Sequence, residues 1–136
     1  MFKLTKILNS GINVPEVERI PAVSGVSYTV GMAINASAGT AANCTATTKP
    51  THICAQKLGA GEGEFVLCYP ISADMLFDAP VTASPASVAV GAKLTLALDE
   101  SGRAYGVTAT ATNGVATVVD TCGATAAGDR ITVKLA

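Results

Sequence analysis

Residues 93–121 read KLTLALDESGRAYGVTATATNGVATVVDT, and this stretch decides the fold. At its start Leu94, Leu96 and Leu98 recur at every second position, which is the spacing of a strand with one buried face. Asn113-Gly114 then separates two further alternating runs, and both residues accept the positive φ of a tight type I′ turn. The stretch therefore predicts antiparallel strands at 93–99, 105–112 and 115–121.

The same alternation continues on both sides of this stretch. Downstream, a loop at 121–129 precedes a strand at 130–135, which completes a predicted four-stranded antiparallel unit. Upstream, alternation predicts strands at 27–34, 51–57 and 64–71, with a loop or weak edge strand at 35–50. Residues 72–80 (SADMLFDAP) favour a helix of about two turns, capped by Ser72 and limited by Pro80. The expected fold is a mostly β, compact antiparallel β-sandwich or barrel-like domain with at most one short helix.

The composition sets bounds on the core and on the partners. The chain has 136 residues, enough for one domain; 49% are hydrophobic but only 4% aromatic, so we expect a thin core of small and β-branched side chains. A net charge of −1 supplies no basic stripe for phosphates, so neither nucleic acid nor an anionic membrane is expected as a partner. No secretory signal is apparent, and the uncharged stretch 22–44 is too polar for a transmembrane helix.

Residues 1–22 show neither a helical nor a strand period and are predicted to form an extended arm ahead of a single β domain at 23–136. The arm carries four large apolar residues that we expect to dock on a partner, namely Ile7, Leu8, Ile12 and Val14. The alternative is that they fold back onto their own β core. If they dock, the arm can add a strand to a sheet edge of the partner, and its removal should release the protein without unfolding it.

The residue types that perform chemistry are sparse. His52 is the one histidine, and only with Cys54 and either Cys44 or Cys68 could it hold zinc; on a strand His52 and Cys54 would share a face. Because cysteine also behaves as a small buried hydrophobe and no C-x-x-C pair exists, we expect no metal, no cofactor and no enzymatic activity. Free thiols are preferred over disulfides for the four cysteines.

A glycine-rich segment, Gly59-Ala-Gly-Glu-Gly63, superficially matches a phosphate-binding loop. No Gly-Lys-Ser/Thr follows it and no helix is predicted to open there, so a flexible turn is the favoured interpretation.

Four segments of the C-terminal half carry a resemblance to a known family: VAVGAKLTL at 88–96, the Asp99–Gly102 turn, VATVVD at 115–120 and AGDRITVKL at 127–135. Together they resemble the closing β-unit of the capsid decoration (cement) proteins of tailed bacteriophages. The N-terminal half is similar in style, with VERIP at 17–21 before YTVGMAI at 28–34, so the resemblance covers about two-thirds of the chain.

This resemblance implies a structural protein of the virion, made in the bacterial cytoplasm and located on the outer surface of the capsid. It also implies that the protein binds the major capsid protein, stabilises contacts between its subunits, and self-associates as a trimer or dimer. The alternative is another phage or bacterial surface module, such as a head fibre, a tail domain or a receptor- or glycan-binding domain. With three tyrosines and no tryptophan, the chain offers few aromatic platforms for a sugar.

Overall fold

The computed structural model describes residues 1–8 and 15–136, and in this part of the chain the secondary structure is all β, with no helix. The strands in chain order are β1 (Lys3–Ile7), β2 (Glu18–Pro21), β3 (Ala33–Asn35), β4 (Ala42–Asn43), β5 (His52–Cys54), β6 (Phe65–Pro70), β7 (Met75–Pro80), β8 (Lys93–Leu94), β9 (Leu96–Leu98), β10 (Ala104–Val107), β11 (Ala116–Asp120) and β12 (Arg130–Lys134).

These strands form two antiparallel sheets that pack together, which confirms the predicted sandwich-like class. Sheet I has five strands in the order β1-β7-β12-β11-β8. Sheet II has seven, in the order β2-β6-β5-β3-β10-β9, with β4 paired to β3. The sheets are joined at one corner, where Val81 bridges Val107 in parallel.

The prediction of a helix at 72–80 is wrong, because residues 75–80 of this segment form the strand β7 in the interior of sheet I. Met75, Phe77 and Ala79 are buried and alternate with half-buried residues, so the apolar period is two. Pro80 ends the strand. A run of three adjacent apolar residues at 75–77 suits a helix locally, but pairing with β1 and β12 on both sides overrides that preference.

The prediction of an Asn113-Gly114 hairpin is also wrong, in its turn as well as in its pairing. Asn113 has a φ of 57°, but Gly114 does not have the positive φ that a type I′ turn requires. The chain instead turns one residue earlier, where the Gly114 N–H donates to the Ala111 carbonyl at 3.3 Å. In addition, β10 pairs with β9 and β3 in sheet II, whereas β11 pairs with β8 and β12 in sheet I. The dipeptide therefore turns the chain from one sheet to the other, and the predicted four-stranded unit is divided between the two sheets.

The strand predicted at 27–34 is interrupted by a turn. Tyr28, Met32 and Ile34 are buried as the alternation predicts, but Ala33 on the other face is buried too, and Val30 is exposed. The Met32 N–H donates to the Thr29 carbonyl, which closes the turn. Gly31 in this turn has a φ of 84°. Only Tyr28, in an isolated bridge to Leu58, and the strand β3 are extended and paired.

Both faces of sheet II carry buried clusters. One face meets sheet I and contributes to the larger core with Ala33, Ile53 and Val107. The opposite face carries a second cluster that includes Cys54, Val66 and Cys68 and is covered by loop residues rather than by a sheet. Loop residues of that cover include Tyr28, Met32, Ala41 and Leu58.

The predicted N-terminal arm is extended, but it is not separate from the β domain. Lys3–Ile7 pairs with β7 as an edge strand of sheet I, and Glu18–Pro21 pairs with β6 as an edge strand of sheet II. Phe2 is 3% exposed and belongs to the core between the sheets. Removal of the arm would therefore delete parts of both sheets, which corrects the expectation that it could be lost without effect on folding.

Candidate functional site

The four residues predicted to dock on a partner have different positions. Ile7 is half-buried and packs against the core between the sheets, which is the fold-back alternative. Leu8 follows it, half-buried, and its N–H donates to the carbonyl of Asp74 at 2.7 Å. Ile12 and Val14 lie outside the described residues. Contact of any of the four with a partner stays a prediction.

The His52 cluster is assembled only in part. His52 Nε2 lies 3.1 Å from Glu18 Oε2, and its Nδ1 lies 2.8 Å from Thr51 Oγ1. Cys54 is directly opposite Cys68 on β6, but Cys44 belongs to the other core. Within residues 1–8 and 15–136, no three His, Cys, Asp or Glu side chains are grouped closely enough to hold a metal ion.

The glycine-rich loop is filled by its own carboxylate. The Gly59 N–H donates to Glu62 Oε2 at 2.8 Å, and a side chain at position 59 would collide with that carboxylate. A backbone N–H that would face a phosphate in an anion-binding loop is thus already paired with an anion, which favours the interpretation as a turn.

The most distinctive surface is an uncovered patch with two exposed apolar side chains, formed by β2, β6 and the segment after β5. We call it the ledge and define it as Arg19, Gln56, Phe65 and Leu67. Phe65 is 41% exposed and Leu67 36% exposed, and the Arg19 guanidinium lies 4.6 Å from the centre of the Phe65 ring. The four residues and Glu64 surround a shallow depression of about 450 Å³. Exposed apolar side chains grouped in this way are typical of a contact surface for another macromolecule.

The strand register explains why the ledge is bare. Leu67 and Tyr69 are two residues apart on β6 and therefore share a face. Tyr69 stacks on Phe77 of sheet I, with their ring centres 6.5 Å apart, so this is the face that sheet I covers. Leu67 lies past the end of that cover, opposite Ala55, whose N–H donates to the Leu67 carbonyl.

Sheet I ends beside the ledge at β1. A cavity of about 370 Å³ separates the Met1–Leu4 end of the chain from Ala55 and Tyr69, the neighbours of Leu67. In the described part of the chain β1 pairs only with β7, so its other edge has main-chain groups available for pairing. Lys3 and Lys6 are exposed on this edge, and a bulge lies between Leu4 and Lys6.

The edge of β2 differs from that of β1. Pro21 has no N–H, and its carbonyl already accepts a hydrogen bond from the Ala41 N–H at 2.9 Å. Prolines on edge strands prevent further strand pairing. Among the described residues 1–8 and 15–136, the unpaired edge next to the ledge is therefore that of β1.

The ledge cannot be recognised from the amino-acid sequence. The run 64–71 is recognisable as a strand, and Val66 and Cys68 are indeed buried, but Phe65 and Leu67 on the other face are equally apolar. Apolar residues on both faces of a strand indicate that both faces are covered. The bare patch arises because β1 is the last strand of sheet I, a long-range feature that local patterns do not contain.

Comparison with known proteins gave no relatives: no family model, no curated protein and no solved structure matches the chain. Among the described residues, the structure has no helix of sufficient length and apolarity to cross a membrane.

Proposed function

We propose that this protein is a capsid decoration (cement) protein, which binds the outer surface of a phage head and stabilises contacts between subunits of the major capsid protein. The observation that carries the binding role is the ledge beside the open edge of β1. The choice of partner, the location on the virion and self-association as a trimer or dimer rest on the resemblance of residues 88–96, 99–102, 115–120 and 127–135.

A single strand of the partner could contact both the ledge and the unpaired edge of β1. A strand of the capsid protein that pairs with β1 would extend sheet I by one position and cover the cavity next to Leu67. Main-chain hydrogen bonds would supply affinity, and alternate side chains of the added strand would enter the ledge. Lys3, Lys6 and Arg19 favour acidic residues on the outer positions of that strand.

The segments with the family resemblance support this arrangement through the scaffold rather than the contact. Residues 88–96 contain β8, which is the far edge of sheet I, and residues 127–135 contain β12 in its interior. Asp99 closes the intervening turn by accepting from the backbone N–H groups of Ser101 and Arg103. Residues 88–96, 115–120 and 127–135 thus supply β8, β11 and β12 of sheet I, whereas the 99–102 turn joins β9 and β10 of sheet II. β1 lies at the other end of sheet I.

The experiment is co-sedimentation of the purified protein with undecorated phage capsids. The double variant F65T/L67T removes two exposed apolar side chains while keeping β-favouring residues, so the fold is expected to survive. Loss of about 1.5 kcal/mol for each side chain would weaken binding roughly 100-fold. V90T, altered at a residue that is 66% exposed and lies outside the ledge, is the matched control and should bind like the unaltered protein.

A second variant, I12T/V14T, tests the predicted arm contact separately from the ledge. Deletion of residues 1–20 is unsuitable because it removes β1 and most of β2. Saturable binding that F65T/L67T weakens supports the proposal. Absence of binding by the unaltered protein contradicts the capsid assignment and favours the receptor-binding alternative.

A further inference from the structure

Two of the four cysteines are direct cross-strand neighbours. Cys54 on β5 and Cys68 on β6 are paired in the register of sheet II, and both are completely buried in the cluster on its loop-covered face. Residues directly opposite one another in an antiparallel pair point to the same face, so both thiols lie in this second core. All four cysteines are reduced in the structure.

The hydrogen-bond pattern shows which kind of cross-strand site this is. The Ala55 N–H donates to Leu67 and the Ile71 N–H donates to Thr51, so the pairs 55/67 and 51/71 are hydrogen-bonded pairs. Because the two kinds of pair alternate, Cys54 and Cys68 form a non-hydrogen-bonded pair. The Cys54 N–H confirms this, since it donates to the Met32 carbonyl on the opposite side of β5.

Non-hydrogen-bonded pairs bring the two chains closest, with a typical Cα separation of about 4.5 Å. That separation falls inside the range of about 4.4–6.8 Å over which disulfides form. The Cys54 thiol donates to the Gln56 carbonyl at 2.9 Å, and the interaction between the two cysteines lowers the pKa of Cys54 and raises that of Cys68. The register and the shared face therefore place the two thiols next to each other before any bond is made.

From this geometry we propose that Cys54 and Cys68 are a redox-active pair that closes to a disulfide and staples the β5–β6 hairpin. The proposal does not depend on the proposed function. Cys44 and Cys122 take no part, because Cys44 is in the other core and Cys122 is exposed in the loop after β11.

The oxidant is a small disulfide of the glutathione type. The Cys54 thiolate attacks one sulfur of that molecule, which breaks its S–S bond, releases one thiolate and leaves a mixed disulfide on Cys54. Cys68 then gives up its proton and attacks Cys54 Sγ, which forms the Cys54–Cys68 bond and releases the second small thiol. The protein loses two electrons and two protons, and the small disulfide is reduced to two thiols.

The pair is reached through the edge of sheet II. Glu18 of the four-residue edge strand β2 is opposite Cys68, and its carboxylate pairs with His52 at the exposed end of the cluster. Short edge strands open locally at a small fraction of the free energy of global unfolding. Opening of β2 uncovers the Cys68 side of the pair, so we expect slow oxidation of the folded protein and fast oxidation during refolding.

The test begins with the unaltered full-length chain, oxidised with excess oxidised glutathione and then digested and mapped by mass spectrometry. The expected product is monomeric, lighter by two hydrogen atoms, with a peptide that links residues 54 and 68. The disulfide closes a ring of 15 residues, from 54 to 68. A ring of this size is expected to lower the equilibrium constant for unfolding by roughly 100-fold. This stabilisation should disappear on addition of dithiothreitol.

The control is a C44A/C122S variant, in which only the proposed pair is left, compared with the same background carrying C68A. The first should form the internal bond, and the second should accept one glutathione or stay reduced. The proposal is overturned if the oxidised protein carries glutathione on both residues, is linked between chains, or retains both thiols free after refolding in the oxidant.

Discussion

Replacement of Tyr28 by phenylalanine should destabilise the protein well beyond the usual effect of losing one hydroxyl group. Tyr28 is 1% exposed, and its hydroxyl donates to the Ala41 carbonyl at 2.8 Å and accepts from the Val23 N–H at 2.9 Å. These bonds fasten two separate loops over the second core. Removal of the oxygen leaves the buried Ala41 carbonyl and the partly buried Val23 N–H without a partner, at a cost of about 1–1.5 kcal/mol each.

We therefore expect Y28F to lose about 2–3 kcal/mol of unfolding free energy, which lowers the urea midpoint by roughly 1 M at a typical slope. Y69F is the matched control. Burial raises the pKa of Tyr69 to about 12, but in the described part of the chain its hydroxyl has no hydrogen-bond partner, so Y69F should cost under about 0.5 kcal/mol. If Y28F and Y69F unfold at the same urea concentration, the loops are not held through Tyr28.

Three further predictions concern the turn before β11, the core between the sheets, and the loss of stability at acid pH. G114A should lower the free energy of unfolding by about 3 kcal/mol or more, because its Cβ would lie 1.8 Å from the Lys93 carbonyl oxygen. The control is G39A, where the added Cβ meets nothing within 4 Å and only the positive φ of 87° costs about 1 kcal/mol. Equal urea midpoints for the two variants would contradict this. F77A should cost about 3–5 kcal/mol in the same assay, since the ring is fully buried between the sheets. The N–H groups of Ala126 and Thr125 donate to the Asp129 carboxylate and hold its pKa below the ordinary value. The ionised carboxylate therefore stabilises the fold above a pH of about 4, and this effect is lost as the pH falls further. The difference in urea midpoint between the unaltered protein and D129N should shrink below pH 4, and a pH-independent difference would refute the prediction.

Local patterns predict strands correctly wherever an alternating run pairs along its whole length. The predicted strands at 64–71 and 130–135 correspond to β6 and β12, because one set of alternate residues in each faces a core. The strand predicted at 51–57 is correct only in part, since β5 is limited to His52–Cys54. The run 93–99 behaves differently. Its leucines alternate throughout, yet β8 pairs in sheet I and β9 in sheet II, with Thr95 between them. Alternation records which side is buried and does not record which sheet supplies the partner.

The surface is less predictable than the strands. Ile7 is recognisable in the sequence as an apolar residue without a period, but its packing against β7 depends on a pairing between residues about 70 positions apart. Arg19 and Phe65 are also far apart in sequence, and only the β2–β6 register brings them together. By contrast, the prediction that His52 and Cys54 share a neighbourhood comes from a two-residue spacing, and the structure places both beside β6.

The loop-covered face of sheet II has a practical consequence for anyone who wishes to insert a tag or a displayed peptide into this chain. The segments around Tyr28 and Ala41 contain only isolated bridges and the two-residue strand β4, yet they cover the second core and would not tolerate added residues. The loop after β11 covers no core at Gly123, since this residue is exposed and a Cβ added there would meet nothing within 4 Å. Foreign sequence inserted at Gly123 should leave the fold intact, whereas the same sequence inserted next to Ala41 should expose the second core.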